Sequence, residues 1–227
     1  MNIERTDTLQ RRVQRHAALA DATRLRIVDA LALSDRAVSA LGEHLGLSSN
    51  LLAHHLKVLE DAGLVRRQRS EGDGRRTYVS LDGPPREEHP APDLGPAGRV
   101  VFVCTANTAR SHLAAALWRS ASSVATLSAG THPGERIAPG ALATARRHGL
   151  DLPEIDPRQV DGLLTPSDLV VTVCDRAHEE LGGADALHWS VPDPVRAATD
   201  AAFDAALERL SPRVAALAEV VPATRPR

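Results

Sequence analysis

The sequence predicts a chain in two parts, an α+β unit followed by an α/β unit, and three observations carry that reading. Residues 1–82 show apolar positions at helical spacing, punctuated by glycines, and end in two strand-like runs. Residues 82–99 contain five prolines and three glycines, a composition incompatible with helix or central strand. Beyond them, Val100-Val101-Phe102-Val103 reads as a buried strand, and the Ala-rich segment after Ser111, with Leu113 and Leu117, reads as a helix. The expected boundaries are therefore a first domain at 1–82, a Pro-rich linker at 83–97 and a second domain at 98–221, with a frayed tail from Pro222. Extended at about 3.1 Å per residue, such a linker reaches on the order of 50 Å.

In the first domain, His16 to Leu33 carries Leu19, Leu25, Ile27, Val28 and Leu31 at helical spacing, interrupted at Asp21-Ala22-Thr23, where a new helix can be capped. Val38 to Leu45 follows as a short helix that Gly46 ends. Ser48 or Ser49 then caps a helix over Asn50 to Ala62, with Leu52, Leu56 and Leu59 facing inward and Gly63 stopping it. Helix, Gly-containing turn, helix is a helix-turn-helix pattern, whose second helix lies in the DNA major groove. Leu64–Arg69 and Arg75–Leu81, joined by Ser-Glu-Gly-Asp-Gly, read as a β-hairpin wing, which completes an α+β winged helix-turn-helix. Residues 1–82 carry 13 basic against 11 acidic side chains, net +2, whereas the whole chain is at −2. Arg66, Arg67, Arg69, Arg75 and Arg76 gather on the wing, where phosphates would be met.

The second domain opens on Cys104-Thr105-Ala106-Asn107-Thr108-Ala109-Arg110-Ser111. A short loop between a strand end and a helix start turns its amides toward one point at the positive end of the helix dipole, which makes an anion cradle. The same field favours a thiolate, so Cys104 is expected to be a low-pKa nucleophile. Arg110 can grip two oxygens of a tetrahedral oxyanion, and Asn107 tolerates left-handed backbone angles.

Composition excludes several classes. Hydrophobic residues make up 43% of the chain and aromatics 2%, so both cores must be built from Leu, Val and Ala. No apolar run approaches the roughly 20 residues that span a bilayer, and no secretory leader pattern opens the chain. Two cysteines do not make a disulfide scaffold, and a reactive thiol needs a reducing compartment. A cytoplasmic protein without membrane partners is expected.

Two resemblances follow from these residues. Cys104 to Ser111, then Ser128-Ala129-Gly130-Thr131, Ser167 to Cys174 and His188-Trp189-Ser190-Val191-Pro192-Asp193-Pro194, resemble in order the low-molecular-weight phosphotyrosine phosphatase superfamily, which includes thiol-dependent arsenate reductases. The resemblance implies a three-layer α/β domain with a four-stranded parallel sheet. It also implies Cys104 as nucleophile, Arg110 with the Thr105–Ser111 loop amides as oxyanion clamp, and Asp193 as general acid. Ala20 to Ile27, Leu45-Gly46-Leu47-Ser48 and His54 to Val65 resemble the ArsR-type winged-helix repressors, which are homodimers that leave operator DNA on binding a metal or metalloid. The implied base-reading face is Ser48, Ser49, Asn50, Ala53, His54 and Lys57, with Arg67, Arg69, Arg75 and Arg76 on phosphates.

Both resemblances carry departures. The first domain has no cysteine, so thiolate sensing of arsenite within it is not expected, and no metal ligand set is assigned. Cys174 stands where the arsenate reductases keep their second cysteine, and strand ends of a parallel sheet converge on one edge, where Cys104 and Cys174 can meet. Val195 and Arg196 follow Asp193-Pro194 where a phosphotyrosine pocket would want aromatic walls. No third cysteine follows Cys174, so turnover would draw on an external small thiol or a glutaredoxin-like protein, with no other cofactor. Ala106 replaces the usual loop glycine, and Ala115 replaces a glutamate that helps bind potassium in relatives. Ser111, Ser128 and Thr108 are candidate hydrogen-bond partners of the nucleophile or its loop. The leading expectation is an arsenic-responsive regulator fused to an arsenate reductase. The alternatives are a pure regulator that uses the Cys104 loop as an oxyanion sensor, and a regulator-linked phosphatase.

Overall fold

The computed structural model describes residues 3–83 and 94–222, with side chains from residue 8 onward. The chain divides into two compact units, Met1–Arg69 with Arg76–Ala91, and Ser70–Arg75 with Pro92–Arg227. Most of the expected linker (84–93) and of the expected tail (223–227) lies outside the described residues.

In the first unit, α1 (Ile3–Leu19), α2 (Ala22–Ala30), α3 (Val38–Leu45) and α4 (Ser49–Asp61) precede a hairpin of β2 (Val65–Arg69) and β3 (Thr77–Leu81). A two-residue strand, β1 (Arg36–Ala37), completes an antiparallel sheet of order β1-β3-β2. The break between α1 and α2 is where sequence places it, because Asp21 Oδ1 accepts the Arg24 amide at 2.9 Å and caps α2. Gly46, at φ 67°, ends α3 in the left-handed conformation that favours glycine. Of the two candidate caps for α4 it is Ser48 whose hydroxyl accepts the Leu51 amide. Leu52, Leu56 and Leu59 then meet Ile27, Leu31 and Leu41 in one apolar core.

The second unit follows the expected α/β plan. Strands β4 (Arg99–Cys104), β5 (Ala125–Gly130), β6 (Asp168–Thr172) and β7 (Leu187–His188) form a parallel sheet of order β5-β4-β6-β7. Between and after them run α5 (Arg110–Ala121), α6 (Pro139–Arg147), α7 (Asp175–Leu181), α8 (Pro194–Ala197) and α9 (Asp200–Val220). Val100 to Cys104 are all buried, as in a central strand covered on both faces. With few aromatics available, Phe102 takes both tryptophans, at ring-centroid distances of 6.1 Å from Trp118 and 5.9 Å from Trp189. At the start of the sheet Arg99 clasps Asp168 with two nitrogens, at 2.6 and 2.8 Å, and this pairing holds the carboxyl below its ordinary range. Every strand thus delivers its C-terminal end to one edge, where the loop after β4 lies.

Candidate functional site

The loop from Cys104 to Ser111 is held from outside by its carbonyls and from inside by its side chains. The carbonyls of Cys104, Thr105, Ala106 and Thr108 accept the amides of Thr131, His132, Gly134 and Ala138 at 2.8–3.1 Å. Asn107 sits at φ 49°, fully buried, with Nδ2 donating to Ser111 Oγ at 2.8 Å and Oδ1 accepting the Arg158 amide at 2.9 Å. Those two bonds hold a left-handed turn that a non-glycine residue otherwise disfavours. Gly130, at the end of β5, has to be glycine for contact reasons: a Cβ there would lie 2.6 Å from the Thr105 carbonyl oxygen.

Cys104 Sγ accepts the Asn107 amide at 3.2 Å and lies 3.2 Å from Ser111 Oγ. Ser111 is therefore the hydroxyl at the nucleophile. Thr108 is not among the sulfur's partners in the described residues. Ser128, also a candidate, instead places its hydroxyl 3.3 Å from Nδ1 of His112. Burial pushes the His112 imidazole down to about 4, so it sits neutral beneath the loop.

Arg110 is the first residue of α5 and is buried, with Nη1 donating to the Val191 carbonyl at 2.9 Å. Its Nη2 lies 3.5 Å from Asp193 Oδ2 and its Nη1 3.4 Å from Glu71, which belongs to the same unit. Burial opposes its charge, but Cys174, Cys104 and the two carboxylates outweigh burial and hold the guanidinium above its ordinary value. Asp193 caps α8 by accepting the Val195 amide at 3.1 Å, which fixes its carboxylate at the mouth of the site. Thr105, Ala106, Arg110, Cys174, Asp193 and Arg196 all line one cleft of about 290 Å³.

Cys174 does not end β6, as sequence suggested. The strand stops at Thr172, and Cys174 is the extended residue that opens α7. Its sulfur lies 3.4 Å from Thr105 Oγ1, one residue along the chain from Cys104, and both thiols are free and buried. Burial first, and the neighbouring Cys104 second, push the Cys174 thiol up to about 11, against the pull of Arg110. Arg196 lines the cleft beside Asp193-Pro194, as its place in the sequence suggested, whereas Glu71 was not anticipated, because its segment read only as the turn of the hairpin.

On the first unit, Ser49, Asn50, Ala53, His54 and Lys57 form one exposed stripe of α4, while His55 is buried. Ser48 is exposed, but its hydroxyl is committed to the cap. Lys57 Nζ pairs with Asp61 at 3.1 Å, and Arg67 holds Glu60 through a two-nitrogen grip. Arg69 and Arg76 are exposed, and so is Arg75, in the segment grouped with the second unit, where it pairs with Asp73 at 3.0 Å.

Fold and loop together define a winged helix-turn-helix joined to a phosphatase-type α/β domain. Family profiles agree: residues 99–226 match the low molecular weight phosphotyrosine protein phosphatases, and residues 21–67 match the bacterial regulatory proteins of the arsR family. The chain belongs to the low molecular weight phosphotyrosine protein phosphatase family and carries an ArsR-family DNA-binding domain ahead of it. A curated relative, a homologue of the transcriptional repressor SmtB from Synechocystis, is 35% identical over 75 residues, 33% of this chain and 54% of that protein. The chain thus spans about half the length of that relative. The tyrosine phosphatase Wzb from Escherichia coli K30, solved with sulphate, shares the fold of the second unit at 23% identity and a TM-score of 0.50, over 54% of this chain and 97% of that one. An arsenate reductase from Archaeoglobus fulgidus is 28% identical over 53% of this chain and 99% of that one, with a TM-score of 0.45.

Proposed function

We propose that the second unit is a two-thiol arsenate reductase and that the first is a homodimeric operator-binding module responsive to arsenic. The observation that carries the reductase reading is the second sulfur. Cys174 lies against Thr105, lines the cleft that holds Arg110, and is a free thiol like Cys104.

In this reading the loop amides and Arg110 seat arsenate, and Cys104 as thiolate attacks arsenic. A sulfur–arsenic bond forms and one arsenate oxygen leaves as water, taking up protons. Cys174 gives up its proton and attacks Cys104 Sγ. The disulfide forms as the sulfur–arsenic electron pair passes to arsenic, which leaves as arsenite. Two thiols lose two electrons and arsenic gains two. An external small thiol or glutaredoxin-like protein then reduces the disulfide. Burial of Cys174 fits this order, since it keeps that thiol protonated until its own step.

Asp193 supports a second reading, phosphate-ester hydrolysis, because its carboxylate stands at the mouth of the cleft, 3.5 Å from Arg110. One experiment separates the two. Reduced protein is mixed with arsenate without added thiol, and arsenite and the Cys104–Cys174 disulfide are measured by mass spectrometry. One equivalent of arsenite with that disulfide is the expected result. No arsenite, with a small thiol also failing to produce it, overturns the reductase reading.

A further inference from the structure

Away from the oxyanion loop, α7 and β7 gather a second set of reactive side chains. The ligand atoms of His178, Asp185 and His188 all lie within 4.8 Å of one another. The Asp185 side chain is 1% exposed, and its Oδ2 is 2.6 Å from both His178 Nδ1 and Thr172 Oγ1. Its Oδ1 is buried with no hydrogen-bond partner. The Thr172 hydroxyl oxygen also lies 3.0 Å from His188 Nδ1 and 3.3 Å from the Leu187 carbonyl. An orphaned carboxylate oxygen in a buried site is costly unless a positive charge meets it.

We infer that His178, Asp185 and His188 bind a divalent cation of borderline softness, Zn²⁺ in the first instance. Two imidazoles and a carboxylate are the donor set of that metal class, and three protein ligands leave a fourth position for water. The support behind the ligands matches as well. Buried Asp175 places Oδ1 3.1 Å from His188 Nε2, which fixes the proton on that nitrogen and turns Nδ1 toward Asp185 and Thr172. Burial opposes charge on Asp185, but hydrogen bonds from His178 and Thr172 more than offset it and hold the carboxyl below its ordinary range. His178, 29% exposed, supplies the entry path. Its ring is stacked on His188 at 4.2 Å and 15° and its Nδ1 is hydrogen-bonded to Asp185, so chelation requires His178, the more exposed of the two, to tilt away from Asp185 and admit the ion between them. Binding forms Zn–N and Zn–O bonds, and any proton held by His178 leaves to solvent. The site is distinct from the oxyanion loop and does not depend on the reductase reading. Asp175 directly follows Cys174, so the same short segment serves both sites.

The test uses the full chain with both cysteines replaced (Cys104→Ser with Cys174→Ser), stripped with a chelator, so that no thiolate competes. Titration with Zn²⁺ in a calorimeter is expected to show one tight equivalent, and the melting temperature is expected to rise with Zn²⁺. Co²⁺ in its place is expected to give the visible bands of a four-coordinate nitrogen–oxygen site. Asp185→Asn removes the tight equivalent and the rise in melting temperature, and Asp175→Asn weakens binding by about 10–100-fold. Absence of tight binding, or equal affinity in Asp185→Asn, overturns the inference. If Asp185→Asn loses its near-ultraviolet circular dichroism, His178→Gln at the half-exposed position takes its place, and unchanged affinity there overturns the inference equally.

Discussion

The outward stripe of α4 and the loop after β4, proposed to meet DNA and an oxyanion respectively, are built in opposite ways. On α4 the side chains Ser49, Asn50, Ala53 and His54 point into solvent from a rigid helix. In the loop, Asn107 and Ser111 are buried, each tied by hydrogen bonds, and the backbone carbonyls are anchored to the next segment. The first surface leaves its hydrogen-bonding capacity open, as the proposed reading of a DNA groove requires. The second spends its capacity internally, as a loop proposed to hold donors in place for developing charge would. Adaptable reading needs exposed side chains, whereas stabilisation of a transition state needs fixed ones.

The sharpest way to strain that contrast is at Asp193. Asp193→Asn is expected to lower hydrolysis of an aryl phosphate by about 10²–10⁴-fold, while single-turnover arsenite release changes far less. Equal losses would mean that Asp193 serves mainly to hold Arg110. Next comes Asn107→Ala, which removes both side-chain bonds and leaves alanine at positive φ. A cost of about 1–3 kcal/mol in denaturant unfolding is expected; a neutral result would show that the loop is held by its carbonyls alone.

A pH experiment separates the regions further. His112 has a folded value of about 4 against an ordinary 6.5, so between those values the unfolded chain takes up a proton that the folded one refuses. Stability of the second unit therefore falls as pH falls from 6.5 toward 4, by at most about 1.4 kcal/mol per pH unit. His112→Gln should flatten that slope. The smallest effect is on α4: Lys57→Ala should weaken DNA binding similarly across sequences and reduce the salt slope by about 1. Loss confined to one sequence would place Lys57 on a base edge instead.

Legibility in the sequence followed the same divide. The caps at Asp21 and Gly46, a cap at Ser48 or Ser49, the helical stripe of α4 and the Cys104–Ser111 loop were readable, because each depends on local chemistry at fixed spacing. The N-terminal extent of α1 was not, since Leu9 and Val13 stay exposed and no apolar stripe marks it. Strand β1 has two residues, too few for any periodicity. Ser128 was assigned to the nucleophile's surroundings on residue type alone, and the choice between Ser111, Thr108 and Ser128 turned on side-chain direction. The His178, Asp185 and His188 cluster escaped for a related reason. Its members come from a helix, a loop and a two-residue strand, and only the fold brings them together.

Cys174 has one more consequence, for survival rather than turnover. A thiol held near 11 is almost wholly protonated in neutral solution, and protonated sulfur is a poor target for peroxide and other electrophiles. Two exposed thiolates at one cleft would be open to oxidation to an idle disulfide whenever oxidants rise. In the proposed two-thiol cycle, burying the second one would keep the pair reduced until a substrate takes its electrons.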